Sequence, residues 1–540
     1  MVIDARKVPE GTQINCDVCV VGGGAAGITL AREFAGKSYK VCILESGGLG
    51  PIDKETDSLR DGENVGLPYF SIRELTDRGL GGNTGRWASS VRPMDEMDFE
   101  KRSWVKHSGW PFTHDELLPY YDKAGDVCGV GEADYEPQSL LKRTKGHPEF
   151  QILPLGDRLE TKMWRYDIPP RHWRDAFLND LENAPNIDTY LYANVVEIET
   201  NDVAKEVTRV KVACTTQSTF WVEAKMFVLA TGGVEIPRLL LASNKVQSNG
   251  LGNQHDLVGR FFMEHPHFNR SAVYIAPGLG KHYPGLYSWQ AAGIYGIRAG
   301  ICPSRKLQEE EQLLNYTVRL QGRNTSQFPH MEIADTPGEL VGGFFKDCKS
   351  LATNIVKNKV TNKLFKAGMN SPLVLDFLVM MEQEPNPDSR LTLTRDKDML
   401  GLNRVKLDWR MTEMDRHTAV RMPQIISEEV SRAGLGQIKI FYTEDGPLWP
   451  EWDTDKPKSP YLVGGWHFMG TTRMDNDPSQ GVVDANCKLH GISNLYVASC
   501  SVFPTVGFAN PTFTLIALTL RLAEHLDAKL AAQPSASVSV

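Results

Sequence analysis

The fold of this chain is decided at residues 16–27, which read CDVCVVGGGAAG. The first six of these residues form a short apolar run that is rich in valine and interrupted only by Asp17, as a buried strand can be. Apolar residues at helical spacing follow up to Gly36, and a second apolar run at 40–44 ends at Glu45. The order of strand, glycine turn, helix, strand and acid predicts a dinucleotide-binding unit.

The glycines of this turn have separate roles. Gly22 allows the tight turn, Gly24 lets the backbone approach a pyrophosphate, and Gly27 lets the helix pack closely on the strand. The helix that opens at Ala25 and Ala26 directs unpaired N–H groups and a partial positive charge toward the phosphates.

The acid after the second strand indicates which nucleotide is bound. Glu45 lies 18 residues after Gly27 and could accept hydrogen bonds from a ribose diol. A 2′-phosphate is disfavoured because like charges would repel. FAD and NAD share this pattern, so the pattern does not choose between them.

Length and composition bound the remaining possibilities. The chain has 540 residues, of which 41% are hydrophobic and 23% charged, as in ordinary globular proteins. With 59 basic and 67 acidic residues, it carries a formal charge of -8 and has no basic excess that would suit a nucleic acid. Its size predicts two intimately joined domains.

Other segments bear on location. No secretory signal is visible at the start, and no run of about 18 apolar residues predicts a membrane span. The nine cysteines are scattered, and the CxxC at Cys16 and Cys19 lies inside a strand pattern, which favours buried thiols over redox chemistry or a metal site. A cytoplasmic location is therefore expected.

A second glycine-rich stretch, RGLGGNTGRW, occupies residues 78–87. Its four glycines between positions 79 and 85 make a regular element improbable. It is either a surface loop or a backbone that lies against a flat ligand, where any Cβ would clash. The glycine turn upstream favours the ligand.

The rest of the chain divides into two kinds of pattern. Strands are predicted at 189–199, 225–230 and 494–498, and apolar helices follow the second and third of these. Residues 266–460 have short predicted strands with interleaved polar residues. Runs such as 390–394 alternate polar and apolar positions, as a sheet with one covered face does, and the stretch at 350–370 is predicted to be helical and basic. The tail from Pro534 is predicted to be disordered.

Together these segments resemble the GMC (glucose–methanol–choline) oxidoreductases over almost the whole chain. The matching stretches are 22–27 with Glu45, 81–83, 229–241, 258–260, 264–266, 466–474, 482–484, 490–491, 494–504 and 510–512. Residues 382–390 and 509–512 are most similar to the sugar-oxidising branch of pyranose oxidase, fructose dehydrogenase and glucoside 3-dehydrogenase.

The resemblance implies an α/β plus α+β fold with two interwoven domains. A Rossmann-like FAD-binding domain would comprise 1–125, 185–265 and 461–540, and a substrate-binding domain on an antiparallel sheet would comprise 126–184 and 266–460. The residues expected to contact FAD are Gly22, Gly24, Ala25, Ala26, Gly27, Glu45, Ser46, Arg78, Gly81, Gly82, Asn83, Gly85, Arg86, Trp87, Ala88, Val195, Val196, Ala230, Thr231, Gly232, Ser499, Asn510, Pro511 and Thr512.

Two positions depart from the family pattern. Arg86 stands where some members attach FAD through a histidine, so a dissociable, non-covalent FAD is expected. Ser499 stands where many members have an aspartate, and it can hydrogen-bond the flavin ribityl or phosphate groups without a charge.

The resemblance also implies the chemistry. His467, in a His-x-x-Gly-Thr motif, matches the base that takes the hydroxyl proton while a hydride leaves the carbon for flavin N5. Asn510 matches the second member of the catalytic pair, although Asn510-Pro511 is also a good helix start whose positive end would face the flavin. His265 and His267 are expected to be structural or to line the site.

The expected substrate is an alcohol, foremost a sugar or glycoside hydroxyl. Oxygen, a quinone or a protein could accept the electrons, and an oligomer is possible. Three alternatives stay open at this point: a non-redox lyase of the hydroxynitrile lyase kind, a catalytic subunit that needs a membrane or cytochrome partner, and an enzyme that tailors a secondary metabolite.

Overall fold

The computed structural model describes residues 1–143, 151–216, 218–268, 271–275, 284–287, 290–292, 295–322, 373–440, 442–443, 446–447 and 462–532. The basic helix predicted at 350–370 and the disordered tail predicted from Pro534 lie outside these ranges.

The described chain is a mixed α/β structure. Its strands are β1 (Val2–Asp4), β2 (Gln13–Val21), β3 (Val41–Glu45), β4 (Gly62–Asn64), β5 (Ser90–Val91), β6 (Leu159–Asp167), β7 (Ile187–Leu191), β8 (Asn194–Thr200), β9 (Val207–Ala213), β10 (Thr219–Leu229), β11 (His267–Phe268), β12 (Ser271–Ile275), β13 (Gln290–Ala292), β14 (Tyr295–Pro303), β15 (Tyr316–Gly322), β16 (Leu373–Met381), β17 (Arg390–Lys397), β18 (Asn403–Asp408), β19 (Gly436–Ile440), β20 (Tyr442–Thr443), β21 (Gly446–Pro447), β22 (Leu462–Val463) and β23 (Leu495–Val497). Its α-helices are α1 (Ala25–Glu33), α2 (Lys54–Ser58), α3 (Ile72–Leu75), α4 (Glu96–Phe99), α5 (Leu118–Cys128), α6 (Pro137–Arg143), α7 (Trp173–Asn183), α8 (Gly232–Ala242), α9 (Pro284–Tyr287), α10 (Arg305–Glu311), α11 (Glu413–Arg432) and α12 (Pro511–Ala532).

The first large sheet has eight strands within the described ranges, in the order β1-β7-β3-β2-β10-β9-β8, with β23 also paired to β10. Strands β1, β7, β3, β2, β10 and β23 are parallel, and β9 and β8 are antiparallel additions. Val21 pairs with Leu229, so β2 and β10 end side by side. The glycine turn after β2 therefore lies beside residues 230–232.

The strand predicted at 189–199 is in fact two strands that serve different parts of this sheet. β7 runs parallel to β3, and β8 pairs antiparallel with β9 at the far edge. Tyr192 lies between them with φ of +60°, and the N–H of Ala193 donates to Glu45 O at 2.8 Å. The aromatic and β-branched residues suggest one strand, but the left-handed residue breaks it.

The second large sheet is antiparallel, and ten of its strands are described. Its order is β19-β12-β16-β15-β14-β6-β5, while β11 bridges β16 and β22 and β13 pairs with β14. A smaller sheet, β17-β18-β4, joins segments far apart in sequence. The alternating pattern predicted for 390–394 corresponds to β17.

The domain boundaries stay a prediction. β5, inside the segment assigned to the FAD-binding domain, pairs with β6 of the antiparallel sheet. Helix α7 belongs to the segment assigned to the substrate-binding domain, yet its buried residues Trp173, Phe177 and Leu181 pack in the core around the first sheet. The two sheets thus exchange segments, as interwoven units do.

Candidate active site

The turn after β2 has the close packing that its glycines predict. Gly22 has φ of +109°, and a Cβ there would lie 2.7 Å from Ala230 O. A Cβ on Gly27 would lie 1.9 Å from Gly22 O. Both glycines are required by the backbone itself, before any ligand is considered.

Gly24 is different because nothing lies within 4 Å of a Cβ placed on it. It is the N-cap of α1 and supplies no side-chain hydrogen bond to the first-turn N–H groups, which include those of Ala25 and Ala26. Nearby, the Thr231 hydroxyl is buried without a hydrogen-bond partner, and a Cβ on Gly232 would also meet open space. These donors and this space fit a diphosphate.

Glu45 is buried at the end of β3 and lies against the glycine turn. Its Oε2 accepts from Gly23 N at 2.8 Å, and its Oε1 accepts from Gly47 N at 2.8 Å and from the Ser46 hydroxyl at 3.3 Å. The carboxylate is therefore positioned by the protein. Its predicted contact with a ribose diol would use the remaining lone pairs.

The second glycine-rich stretch lies directly on the first. Gly81 N donates to Gly23 O at 2.8 Å, and a Cβ on Gly82 would lie 3.2 Å from Gly24 Cα. The Asn83 amide fixes the loop by donating to Leu75 O at 3.0 Å and accepting from Asp77 N at 2.7 Å. This placement favours the ligand-facing interpretation of the loop.

Several residues predicted to contact FAD have protein partners. Arg78 forms an ion pair with Glu235 at 3.0 Å, and Arg86 forms one with Asp77 at 2.9 Å. Their charges are therefore balanced within the protein.

The other residues of this stretch also have defined positions. Trp87 Nε1 donates to Arg171 O at 2.7 Å, whereas Gly85 and Ala88 are exposed. Their contacts with a cofactor stay predictions.

The remaining predicted cofactor residues come from four other places in the chain. Val195 and Val196 are half-buried in β8, and Ala230 N donates to Val21 O at 2.7 Å beside the glycine turn. The Ser499 hydroxyl accepts from Ser501 N at 3.1 Å. Pro511 and Thr512 open α12, as the Asn-Pro sequence predicts.

The two predicted catalytic residues, 43 positions apart in sequence, are in contact. His467 Nε2 lies 3.4 Å from Asn510 Nδ2. The Asn510 Oδ1 lies 3.2 Å from Trp164 Nε1 and 3.4 Å from Arg319 Nη2, and both of these nitrogens can only donate. The Ser90 hydroxyl lies 3.3 Å from the same oxygen. The amide is therefore oriented with its NH₂ group toward His467.

His265 fixes the proton on the other side of His467. An antiparallel bridge between Met263 and Met469 brings the two segments together, and the histidine Nδ1 atoms lie 2.9 Å apart. His265 Nε2 is 3.3 Å from Val506 O, which can only accept, so this nitrogen carries the proton.

The tautomer of His467 follows from this contact. With the proton on Nε2, the neutral His265 presents a lone pair at Nδ1, and His467 must donate from its own Nδ1. The lone pair of His467 is then at Nε2, facing Asn510. The sequence singled out the histidines of Glu264-His265-Pro266-His267, but it gave no sign of this link.

Burial and nearby positive charge keep these rings neutral. Burial lowers the pKa of His265 to about 4 and that of His267 to about 3. Burial, assisted by His265, His267 and Arg319, lowers the pKa of His467 well below its usual value. A neutral His467 can accept a proton at physiological pH.

Glu264 is a buried acid whose role the sequence did not reveal. Its carboxylate accepts from the N–H groups of Gly465 at 2.9 Å, His467 at 3.0 Å and His265 at 3.0 Å, and from the Tyr69 hydroxyl. Burial raises the pKa of Glu264 to about 8 against the opposing effect of these donors. One side chain thus holds both histidine segments.

The aromatic residues around His467 divide into two roles. Trp466 has φ of +57°, unusual for a bulky residue, and stacks on Phe70 with ring centroids 4.5 Å apart. Phe468 is buried and stacks on Phe262 in the core. Trp466 is therefore the candidate for a flat wall, and Phe468 is a packing residue.

Comparison with known proteins decides the family. The model of the GMC oxidoreductase family matches residues 385–519. The 5-(hydroxymethyl)furfural oxidase of Methylovorus sp. (strain MP688) is 41% identical over 581 residues, covering 94% of this chain and 98% of that protein. The chain belongs to the GMC oxidoreductase family.

Other comparisons agree across the full length. The fructose dehydrogenase large subunit of Gluconobacter japonicus is 24% identical to this GMC oxidoreductase, with 95% of this chain and 98% of that protein covered. Formate oxidase from Aspergillus oryzae RIB40 superposes with a TM-score of 0.59 at 16% identity, covering 97% of this chain and 99% of that one. The second likeness establishes the fold.

The family predicted from the motifs is thereby confirmed. As a GMC oxidoreductase, the enzyme acts on alcohol or sugar donors, and FAD is the cofactor of the family. No helix in the described part of this GMC oxidoreductase combines the length and apolarity that a bilayer crossing requires. Within the same ranges, no cluster of three or more His, Cys, Asp or Glu side chains is arranged to hold a metal ion.

Proposed function

We propose that this enzyme oxidises a hydroxyl group on or next to a ring, foremost that of a sugar or glycoside, with His467 as the base and Asn510 as its partner. The observation that carries the proposal is the 3.4 Å contact between His467 Nε2 and Asn510 Nδ2, at which the inferred tautomer places the lone pair of His467. FAD, when bound, supplies the acceptor for the hydride that leaves the alcohol carbon.

In this mechanism the protein holds the hydroxyl and removes its proton. The Asn510 NH₂ group donates to the substrate oxygen, since its Oδ1 is already held by Trp164 and Ser90. His467 Nε2 then accepts the hydroxyl proton. His265 keeps the other proton of His467 on Nδ1 throughout, so the accepting nitrogen always faces the substrate.

The residues that would hold FAD are those of the two glycine segments and the end of β10. Gly24, Ala25 and Ala26 offer first-turn N–H groups, Gly82 lets the second loop lie close, and Thr231 offers an unpartnered hydroxyl. We infer that FAD is dissociable, because Arg86 replaces a linking histidine and pairs with Asp77.

The lowered pKa of His467 predicts a flat pH profile. A base acts when unprotonated, so a lower pKa moves the acid limb of kcat/KM to lower pH. We expect kcat/KM to vary by less than about twofold between about pH 6 and pH 8, with the limb below about pH 6. A half-maximal value at or above the ordinary histidine pKa would contradict a buried neutral base.

His265 is a positioning residue whose removal should affect turnover. In His265→Leu, His467 loses the acceptor for its Nδ1 proton and no longer keeps one tautomer, so kcat should fall about tenfold. His265→Asn keeps an acceptor oxygen near the position of Nδ1 and should recover most of the loss. Equal losses in both variants, at equal flavin content, would show that His265 only packs.

A second substrate class is favoured by one comparison. The relative that is 41% identical is named for a furan alcohol, a primary alcohol on an aromatic ring. Trp466 stacked on Phe70 could face either a sugar or an aromatic ring. We therefore propose an aromatic primary alcohol as the second candidate.

The deciding experiment is anaerobic mixing of the purified protein with matched sugars, glycosides and aromatic alcohols while the flavin absorbance is followed. Bleaching by sugars supports the first proposal, and bleaching by aromatic alcohols alone supports the second. A flavin that no alcohol bleaches would favour the lyase alternative, although the oxidase and dehydrogenase names of the relatives support redox chemistry.

The same experiment identifies the kind of electron acceptor. Admission of air separates an oxidase, whose colour returns quickly, from an enzyme that needs a quinone or a protein.

We also propose a cytoplasmic location, which is compatible with the eight free thiols among the described cysteines.

A further inference from the structure

Arg319 is a cation at the candidate active site that has no carboxylate partner among the residues described. It lies half-buried in β15, and its Nη2 donates to Asn510 Oδ1 at 3.4 Å. Its Nε is buried and has no hydrogen-bond acceptor. Among the residues that the structure describes, no carboxylate oxygen lies within 4.0 Å of its guanidinium nitrogens.

Three other buried arginines have a carboxylate that balances their charge, whereas the buried Arg473 has none within 4.0 Å among the described residues. The pairs are Arg92 with Asp95 at 2.6 Å, Arg102 with Glu382 at 2.5 Å, and Arg238 with Asp398 at 2.7 Å. A desolvated cation without such a partner is unfavourable. Within the described part of the chain the charge of Arg319 has no counter-ion, so it is available to an anion that a ligand brings.

His267 presents a second unpartnered polar atom on the same face, which donates when the ring carries its proton on Nε2. In the antiparallel sheet, His267 and Thr317 both lie opposite Met380, and Arg319 follows Thr317 by two residues, so His267 and Arg319 share one face. His267 Nε2 is buried without a hydrogen-bond partner. A Cβ on Gly465 would lie 3.0 Å from it, so this atom is beside the loop that carries His467.

The guanidinium is also oriented. Its central carbon lies 4.6 Å from the centroid of the Trp164 ring, and Trp164 itself binds Asn510. A guanidinium held against an aromatic face presents its N–H groups edgewise in a fixed plane. This is the geometry in which arginine binds a carboxylate through two parallel hydrogen bonds.

We propose that Arg319, assisted by His267, binds a carboxylate group of the substrate, so that the preferred alcohols are hydroxy acids, sugar acids included. The inference rests on the proposed function, because it names the substrate class of the same site. One guanidinium with a neutral histidine matches the charge of a monoanion. A phosphate monoester, with nearly two negative charges, would leave charge unbalanced.

Asn510 lies between the groups that would hold the two ends of such a substrate. Its Oδ1 side faces Arg319, and its Nδ2 side faces His467, each at 3.4 Å. A substrate whose hydroxyl is held by Asn510 and His467 would then extend its carboxylate toward the Oδ1 side. Small molecules with both groups therefore suit the site.

The test compares each acid with a neutral analogue of the same shape. The pairs are para-(hydroxymethyl)benzoate with its methyl ester, and glucuronate with glucuronamide. We expect wild-type kcat/KM for at least one acid to exceed that of its neutral partner about tenfold or more. A ratio at or below one in both pairs would overturn the proposal.

Substitution of Arg319 assigns the preference to this residue. In Arg319→Gln, the ratio of acid to neutral kcat/KM should fall about 10- to 100-fold, as loss of a charge-assisted hydrogen bond predicts. Arg319→Lys should keep part of the preference for the acid. The ratio cancels any loss through Asn510 that both substrates share. Arg395→Gln, which removes a charge from an exposed position, is the matched control and should leave the ratio intact.

A binding measurement keeps the proposal separate from the proposed function. Para-methylbenzoate has no hydroxyl. Titration that follows the flavin absorbance should show that it binds the wild-type holoenzyme at least about tenfold more tightly than para-methylbenzamide does. Equal affinities would reject the carboxylate site even if the Arg319 variants fail to fold. If neutral alcohols bleach the flavin but acids are not preferred, only the carboxylate proposal fails. If the benzoate binds selectively but no alcohol is oxidised, only the proposed function fails.

Discussion

Replacement of His467 by alanine is expected to lower kcat by about 100- to 10,000-fold, the range over which a positioned general base contributes. The expectation follows from the lone pair at Nε2, which two independent contacts define: Val506 O acting through His265, and the oriented amide of Asn510. Without the imidazole, the described groups in contact with Asn510 include no other base, because the guanidinium of Arg319 and the indole of Trp164 only donate and the Ser90 hydroxyl is not basic.

Single-turnover reduction of the flavin, measured anaerobically, checks this prediction without interference from reoxidation. The variant should keep its flavin, since His467 is not among the residues predicted to hold FAD. His417→Ala is the control, because His417 is exposed on α11 and binds Glu311 O away from the site. A His467→Ala enzyme that reduces its flavin within a factor of about ten of wild type would exclude His467 as the base.

The second large effect is expected for Gly24→Ala, which should weaken FAD binding at least about 100-fold while leaving the apoprotein folded. A Cβ at Gly24 meets no protein atom within 4 Å, and its extended backbone suits alanine. The methyl group would instead enter the space before the first-turn N–H groups of α1. Loss of two charge-assisted hydrogen bonds, each worth about 1.5–3 kcal/mol, gives the magnitude.

Titration of the apoprotein with FAD measures this change, and circular dichroism of the apoprotein checks the fold. Gly50→Ala is the matched control, because a Cβ there also meets nothing within 4 Å and lies outside the predicted cofactor site. Unchanged FAD affinity in Gly24→Ala would show that the diphosphate does not approach this glycine. Gly27→Ala differs from both, since its Cβ would clash with Gly22 O at 1.9 Å and disturb the turn itself.

The parts of the site that the sequence predicted are those whose signal is local. The glycine turn, its helix and Glu45 lie within 30 residues, and close backbone contacts require Gly22 and Gly27 in the turn itself. The resemblance of the C-terminal motifs led to His467 and Asn510, which the structure places in contact. The family was confirmed by comparison, whereas the roles of individual residues stay predictions.

The parts that the sequence did not predict depend on distant partners. His265 and His467 are 202 residues apart, and no spacing rule connects them. In the sequence, Arg319 resembles any other basic residue of an alternating strand. Only the structure shows that no carboxylate of the described chain lies near it. The break at Tyr192 was missed for a related reason, because its left-handed backbone is stabilised by the neighbouring strand and not by its own sequence.

The carboxylate of Glu264 has a mechanical consequence for the base. It accepts hydrogen bonds from the backbone N–H groups of His265, His467 and Gly465, so one buried side chain holds the backbone of both histidines. Because one side chain holds both segments, we expect a displacement of Glu264 to move the two rings together and to preserve the 2.9 Å contact between them. The same carboxylate holds Gly465 and His467 on either side of Trp466, whose backbone has a left-handed φ of +57°.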